Sequence, residues 1–194
     1  MRGLQALPAR FMLGHLEIDA VMGTGGFGVT YRAIDRRTRQ RVAVKEYFPR
    51  NAAMRAADGG VWVISAREEP LFRWGLDRFQ EEARTLARFN HNYIVRVLQI
   101  FAANGTAYIV LDYIDGPSLQ QWIRSGGTAS QEELDGFAAG FLDALETIHR
   151  SGVLHRDIAP KNILLSMSGH PVLIDFGAAR QMVHARTSPL TKLV

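Results

Sequence analysis

The sequence predicts an α+β fold in two lobes, a β-rich N-terminal part followed by a helix-rich C-terminal part. Alternating, β-branched and aromatic runs crowd residues 15–115, and stripes of helical period dominate after Gly116-Pro117. Tight-turn signals such as Asn104-Gly105 lie between the N-terminal runs, which makes neighbouring strands hairpins.

Residues 18–22 read as a short strand running into Gly23-Thr24-Gly25-Gly26-Phe27-Gly28, a G-x-G-x-x-G run. Residues 29–35 give the next strand, with Val29, Tyr31 and Ala33 on one face. The glycines thus join strand to strand, whereas a dinucleotide-binding loop joins strand to helix. Residues 42–48, VAVKEYF, give a third strand with Lys45 inside it. Residues 49–70 read as an insertion, in which Pro49 stops the strand and Asp58-Gly59-Gly60 precedes VWVIS as a hairpin turn. Residues 71–88 form a helix with Phe79, Ala83, Leu86 and Ala87 on one face; Glu82 lies beside that stripe and Glu81 points away. Residues 93–101 and 106–113 are the fourth and fifth strands. A short helix, SLQQWIR, follows Gly116-Pro117. Residues 132–150 form a longer one with the stripe Leu134, Phe137, Ala138, Phe141, Leu145 and Ile148, stopped by Gly152. Two apolar runs bearing polar clusters, GVLHRDIAPKNILLS and HPVLIDFGAAR, follow. The expected organisation is an N-terminal extension at 1–14, a β-rich lobe at 15–115 with the insertion at 49–70, and a partial helical lobe at 116–194.

With 194 residues, 47% hydrophobic and 22% charged, the chain can bury a core as one domain or two small lobes. No apolar run approaches the ~20 residues of a membrane helix, and the N-terminus lacks a signal peptide's apolar stretch, so a cytoplasmic location is expected. The absence of cysteine excludes disulfides and thiolate metal sites. The net charge of +4 does not point to nucleic acid, because the one basic cluster, Arg36, Arg37, Arg39 and Arg41, reads as a solvated turn. Of the 23 basic residues, 20 are Arg and only Lys45, Lys161 and Lys192 are Lys. A compact ammonium and a planar guanidinium are not interchangeable, so Lys45 and Lys161 are candidates for positions that Arg cannot fill.

Five motifs then occur in order: the glycine run at 23–28, Val42-Ala43-Val44-Lys45, Glu82 on the first helix, His155-Arg156-Asp157 with Asn162 five residues on, and Asp175-Phe176-Gly177. Together they resemble the protein kinase family over residues ~15 to 194. GGFGVTYRA, KEYFP and DFGAAR look most like bacterial serine/threonine kinases of the eukaryotic type. The resemblance implies a protein-kinase-like two-lobe fold: a five-stranded antiparallel N-lobe sheet with helix C, and a partial helical C-lobe. It implies ATP and Mg²⁺ as cofactors and a protein as substrate, with no nucleic-acid partner and no membrane segment. Asp157 would be the catalytic base, with Lys45 and Glu82 as the phosphate clamp and Asn162 and Asp175 as Mg²⁺ ligands. ATP would lie against Gly23, Gly25, Gly26, Phe27, Gly28, Thr30, Ala43, Lys45, Leu111, Asp112, Ile114 and Leu164. Leu111 would be the gatekeeper, and backbone groups around Asp112 would bind the base. Arg156 would receive a phosphate carried by Thr187 or Thr191.

The sequence departs from the family's pattern in three places. Thr30 stands where a valine usually roofs the adenine. Ala159 stands where a lysine usually steadies the γ-phosphate, so Lys161 is either its replacement or a solvent-facing turn residue, and the choice of Ser/Thr over Tyr acceptors is open. The pattern of the family also continues beyond residue 194. The resemblance therefore implies a chain truncated within the activation segment, completed by a partner or by a missing C-lobe. Two functions remain: a protein kinase acting on Ser/Thr hydroxyls, or a truncated, non-catalytic ATP-binding or interaction module.

Overall fold

The computed structural model describes residues 6–26 and 28–175, together with the backbone of residues 180–181. Its main layer is a six-stranded antiparallel sheet built from β1 (Met12–Leu13), β2 (Leu16–Thr24), β3 (Gly28–Asp35), β4 (Arg41–Tyr47), β7 (Val97–Ala103) and β8 (Thr106–Asp112). The strand order is β1-β2-β3-β4-β8-β7. The five expected strands are present, and β1 is a sixth. It is too short for an alternation signal, and it folds back on β2 because Gly14 takes φ +63° in the turn between them. Residues 6–13, expected to precede the lobe, bury Leu7 and Leu13 in its core.

The insertion is the expected hairpin, β5 (Ala53–Arg55) paired with β6 (Val61–Val63). It is docked on the turn between β7 and β8. Val61 donates its N–H to Asn104 O at 2.7 Å, and a side chain at Gly105 would collide with the Val61 carbonyl. Asn104 and Gly105 take φ 52° and 74°, the conformation that their sequence favours in a two-residue hairpin turn.

The first long helix, α1 (Glu69–Leu86), begins two residues before the expected start, because Pro70 fits the first turn. Its buried residues are Phe72, Phe79, Ala83 and Leu86; Ala87, expected in the stripe, is exposed at the C-cap. Tyr47 of β4 packs against Phe72 and Phe79 at 5.2 and 5.7 Å between ring centres. Its hydroxyl donates to Phe72 O at 3.1 Å, and burial pushes that hydroxyl up to about 12. Residues 93–95, expected to open the fourth strand, instead leave the sheet. Val95 donates to Leu173 O and Leu173 to Tyr93 O, both at 2.9 Å, so this apolar stretch ties the two lobes together.

The second lobe holds α2 (Leu119–Arg124), α3 (Gln131–Arg150), β9 (Val153–Leu154), a 3-10 turn at Pro160–Asn162, β10 (Ile163–Leu165), β11 (Pro171–Leu173) and β12 (Arg180–Gln181). Both helices begin with a Ser capping box, at Ser118 and Ser130. Gly140, Ala144 and Ile148 of α3 are buried, and the helix packs on β9 and β11. Leu134 and Ala138, expected in its apolar stripe, are exposed. No described helix is long and apolar enough to cross a membrane.

Gly75 sits inside α1, where Ala would favour the helix by about 1 kcal/mol. A Cβ there would collide with the buried Tyr47 hydroxyl. Gly75→Ala is therefore expected to destabilise the protein by about 1–3 kcal/mol in denaturant unfolding, and adding Tyr47→Phe should recover part of the loss. A stabilised single variant would contradict this packing.

Candidate active site

Lys45 lies in the middle of β4, in register with Thr30 of β3 and Ile109 of β8. Its ammonium is 3.1 Å from Glu82 Oε1 on α1 and 3.0 Å from Asp175 Oδ1, two residues past β11. The helical turn that buries Phe79, Ala83 and Leu86 leaves Glu82 at the edge of the packed face, which brings it to the lysine. Burial pulls the Lys45 amine down, but the two carboxylates outweigh it and hold it above its usual range. Burial pushes the Glu82 carboxyl up; Lys45 opposes that shift and Asp175 adds to it.

A second group forms on the loop after β9. His155 is buried, and its Nδ1 accepts the Asp157 N–H at 3.3 Å. This bond requires the neutral ring with its proton on Nε2. Burial lowers the imidazole, with the nearby Asp175 and Asp157 carboxylates acting the other way. Arg156 between them is exposed and takes φ 64°, a left-handed conformation that is costly for a residue with a side chain. Asn162, buried at the end of the 3-10 turn, donates Nδ2 to Asp157 O at 2.9 Å and to Asp157 Oδ2 at 3.0 Å. Lys161 Nζ lies 3.5 Å from the same Oδ2, with both side chains largely exposed. Ile174 donates its N–H to Asn162 O at 3.1 Å, so the backbone just before Asp175 is bound to the loop that carries Asp157.

The glycines divide by the reason for their presence. A Cβ at Gly28 would collide with the Glu46 carbonyl, so β3 needs glycine there to approach β4. A methyl group at Gly23 or Gly26 would meet nothing within 4 Å, and one at Gly25 would make only ordinary contact with Gly28 O at 3.9 Å. None of these three has a positive φ. Neither packing nor backbone conformation in the free chain calls for glycine at these positions. Gly23 pairs with Thr30 in the sheet and the Gly25 N–H donates to Gly28 O at 2.8 Å, while all three residues stay exposed, so an incoming group can approach them closely.

Ala43 of β4 is in register with Leu111 of β8, which is buried. The Asp112 carboxylate is turned to Arg96, with contacts of 3.0 and 3.3 Å, and the Asp112 N–H donates to Arg96 O. Ile114 is partly buried against the core, and Leu164 on β10 pairs with Val172 and bridges to Ser118. Nothing in the sequence pattern marks Arg96 as the partner of Asp112. Phe27, Thr187 and Thr191 lie outside the described residues. Among the described residues no cluster of three or more His, Asp or Glu forms a metal site. Asn162 and Asp175 supply hard oxygens, a donor set that suits Mg²⁺, which takes few protein ligands beside substrate phosphates.

A family model described as the protein kinase domain matches residues 16–194. A Streptomyces coelicolor protein named "Probable serine/threonine-protein kinase SCO3848" is 35% identical over 173 residues, covering 87% of this chain and 23% of that protein. The serine/threonine-protein kinase PknK of Mycobacterium tuberculosis is 36% identical over 176 residues, covering 90% of this chain and 14% of its own length. The chain thus spans about a quarter or less of these relatives. The solved apo form of PpkA-294 superposes with a TM-score of 0.85 at 35% identity, covering 90% of this chain and 62% of that one.

The two kinds of glycine are separable by melting experiments on the ligand-free protein. Gly28→Ala is expected to cost about 1–3 kcal/mol and to lower the melting temperature by roughly 2–4 °C for each kcal/mol. Gly25→Ala and Gly26→Ala should change stability by less than about 1 kcal/mol. Equal losses at all three positions would show that the whole loop is packed in the free chain.

Proposed function

This chain belongs to the protein kinase family, and on that premise we propose that it transfers the γ-phosphoryl group of ATP to serine and threonine hydroxyls of proteins. The observation that carries the reading is the Lys45 ammonium held between Glu82 and Asp175. Phosphoryl transfer asks the protein mainly for positioning and for cancellation of charge. Lys45 meets the α- and β-phosphates, and Glu82 keeps its amine in place. The exposed run of Gly23, Gly25 and Gly26 lets the phosphates approach without side-chain obstruction, with Phe27 and Gly28 also against the nucleotide. Thr30, Ala43, Leu111 and Leu164 enclose the base. Because the Asp112 carboxylate is occupied by Arg96, backbone groups between Asp112 and Ile114 bind its edge. Asp157, oriented by Asn162, accepts the proton of the attacking hydroxyl. Asn162 and Asp175 would hold Mg²⁺, which would supply further neutralisation of phosphate charge.

Ala159 leaves the usual lysine position empty of charge, and Lys161 beside Asp157 takes over its task. Arg156, exposed next to the catalytic loop, accepts a phosphate on Thr187 or Thr191. The use of ATP as phosphoryl donor supports a cytoplasmic setting.

Nucleotide binding and transfer are tested separately. Mg-ATP should raise the melting temperature of the parent, since a ligand of the folded state alone must do so, and the rise should be lost in Lys45→Met and Asp175→Ala. Asp157→Asn should keep the rise while transfer to a Ser/Thr protein falls by about 10²–10⁴-fold. Lys161→Ala should lower transfer about 10²-fold, and Ala159→Lys should restore it. A cooperative melt with no Mg-ATP shift would leave a folded interaction module. A shift without transfer would leave an ATP-binding one.

A further inference from the structure

Lys45 and Glu46 are consecutive residues of β4, so their side chains leave opposite faces of the sheet. The Lys45 face carries α1. The Glu46 face is covered by residues 6–13 and the β5–β6 hairpin, and there Glu46 is 0% exposed. Its carboxylate accepts four hydrogen bonds: from Arg55 Nη1 (3.0 Å) and Tyr108 Oη (2.8 Å) at Oε1, and from Arg55 Nη2 (2.5 Å) and Tyr31 Oη (2.6 Å) at Oε2. The Arg55 side chain is 2% exposed and also donates to Gly59 O at 3.0 Å, and its guanidinium lies 4.7 Å from the Phe48 ring centre. Leu7 N–H donates to Tyr31 Oη at 3.0 Å. This cluster joins β3, β4, β8, the hairpin and the N-terminal segment around one carboxylate, and the phosphoryl-transfer chemistry uses none of its members.

We propose that Arg55 is a positioning residue for Lys45: its fork on Glu46 fixes the rotation of β4 about its own axis, and with it the direction in which the next residue, Lys45, leaves the opposite face. Ladder hydrogen bonds set register along a strand but leave twist soft, with neighbouring strands differing by roughly −10 to −35°. A buried charge without its partner must find water or a proton. If Arg55 is removed, Glu46 turns outward, β4 turns with it, and Lys45 swings away from Glu82 and Asp175. The insertion thereby becomes part of the active-site support, which sits on the far side of the sheet from the chemistry. The catalytic consequence rests on the phosphoryl-transfer role proposed for Lys45; the geometric one does not.

The scarcity of lysine makes the geometry measurable, because the chain carries only Lys45, Lys161 and Lys192. The full protein is treated with an amine-selective acylating reagent, N-hydroxysuccinimidyl acetate, and acylation at each lysine is followed by mass spectrometry, with exposed Lys161 as internal reference. In the parent, Lys45 should react more slowly than Lys161. In Arg55→Met the Lys45 rate relative to Lys161 should rise about tenfold, because its amine leaves the contacts with Glu82 and Asp175 and opens to the reagent. In Arg55→Met with Glu46→Gln, which removes the unpaired charge but still lacks the fork, the rate should fall only part of the way back, and a full return would show that the stray charge and not the fork displaces Lys45. Under the same conditions kcat/KM for ATP should fall about tenfold in the single variant, and should recover only in part in the double. Arg55→Lys, which keeps the charge and loses the fork, should lie between parent and Arg55→Met, and it serves if Arg55→Met does not fold. A folded Arg55→Met or Arg55→Lys with lower melting temperature and parental Lys45 reactivity would reduce Arg55 to a stabilising residue and overturn the proposal. Acylation needs no catalysis, so a parent that transfers no phosphate but shows the expected reactivities sinks the kinase reading and leaves the positioning role standing.

Discussion

Three elements far apart in sequence meet at one ammonium group. Lys45 comes from the middle of the sheet, Glu82 from α1 and Asp175 from the end of β11, with both contacts near 3 Å. Hydrogen bonds at that length tolerate little displacement, so each element must be placed well by something other than the contact. The aromatic packing of Tyr47 on Phe72 and Phe79 sets α1 against β4. The exchange of backbone bonds between residues 93–95 and Leu173 sets β11 against the sheet. The ion group therefore reports the docking of both lobes, and its burial makes an unmet partner costly.

The same logic applies across the sheet. A strand cannot orient one side chain without orienting the next, because the pleat alternates their directions. Tyr47 and Lys45 face α1 and Ala43 shares their side of the sheet, while Val44 and Glu46 lie on the opposite side, all within one seven-residue strand. Both faces are covered, so β4 is held from two sides. Its two ladder neighbours, β3 and β8, complete the enclosure.

Much of this was legible in the sequence because the signals are local. Asn104-Gly105 fixes a hairpin by its backbone preference, and the Ser118 and Ser130 boxes start helices where the apolar stripes begin. Glu82 was separable from Glu81 by its fit to the helical stripe, and Lys45, Glu82, Asp157, Asn162 and Asp175 stood out because their motifs, in order, resemble those of protein kinases. What was less legible is set by tertiary contact. The run at 93–101 has strand composition throughout, but Ile94 and Val95 gain more by burial between the lobes, and only from Val97 does the chain join the sheet. Met12–Leu13 is too short to show a period. The stripe of α3 is continuous in sequence, yet the fully buried residues of the helix begin only at Gly140. One clue to Glu46 was available: in VAVKEY, period-two alternation puts this charged residue on the face of Val42 and Val44. Nothing local pointed to Arg55 as its partner, since that pairing depends on how the hairpin docks.

The composition acquires a physical sense from these two neighbouring positions. Among the described residues Glu46 is met by one cation, which must reach both oxygens of one carboxylate in a plane, and the guanidinium of Arg55 does this with two N–H donors. Lys45 must instead serve one oxygen from each of two carboxylates carried by different elements. A guanidinium could pair flat with Glu82 or with Asp175, but its rigid fork would leave the other badly oriented. A small ammonium with rotatable donors satisfies both at once. In a chain that otherwise uses Arg almost exclusively, Lys at position 45 is thus the cation that the geometry of two separate acceptors requires, and Arg at position 55 is the one required by a single acceptor with two oxygens.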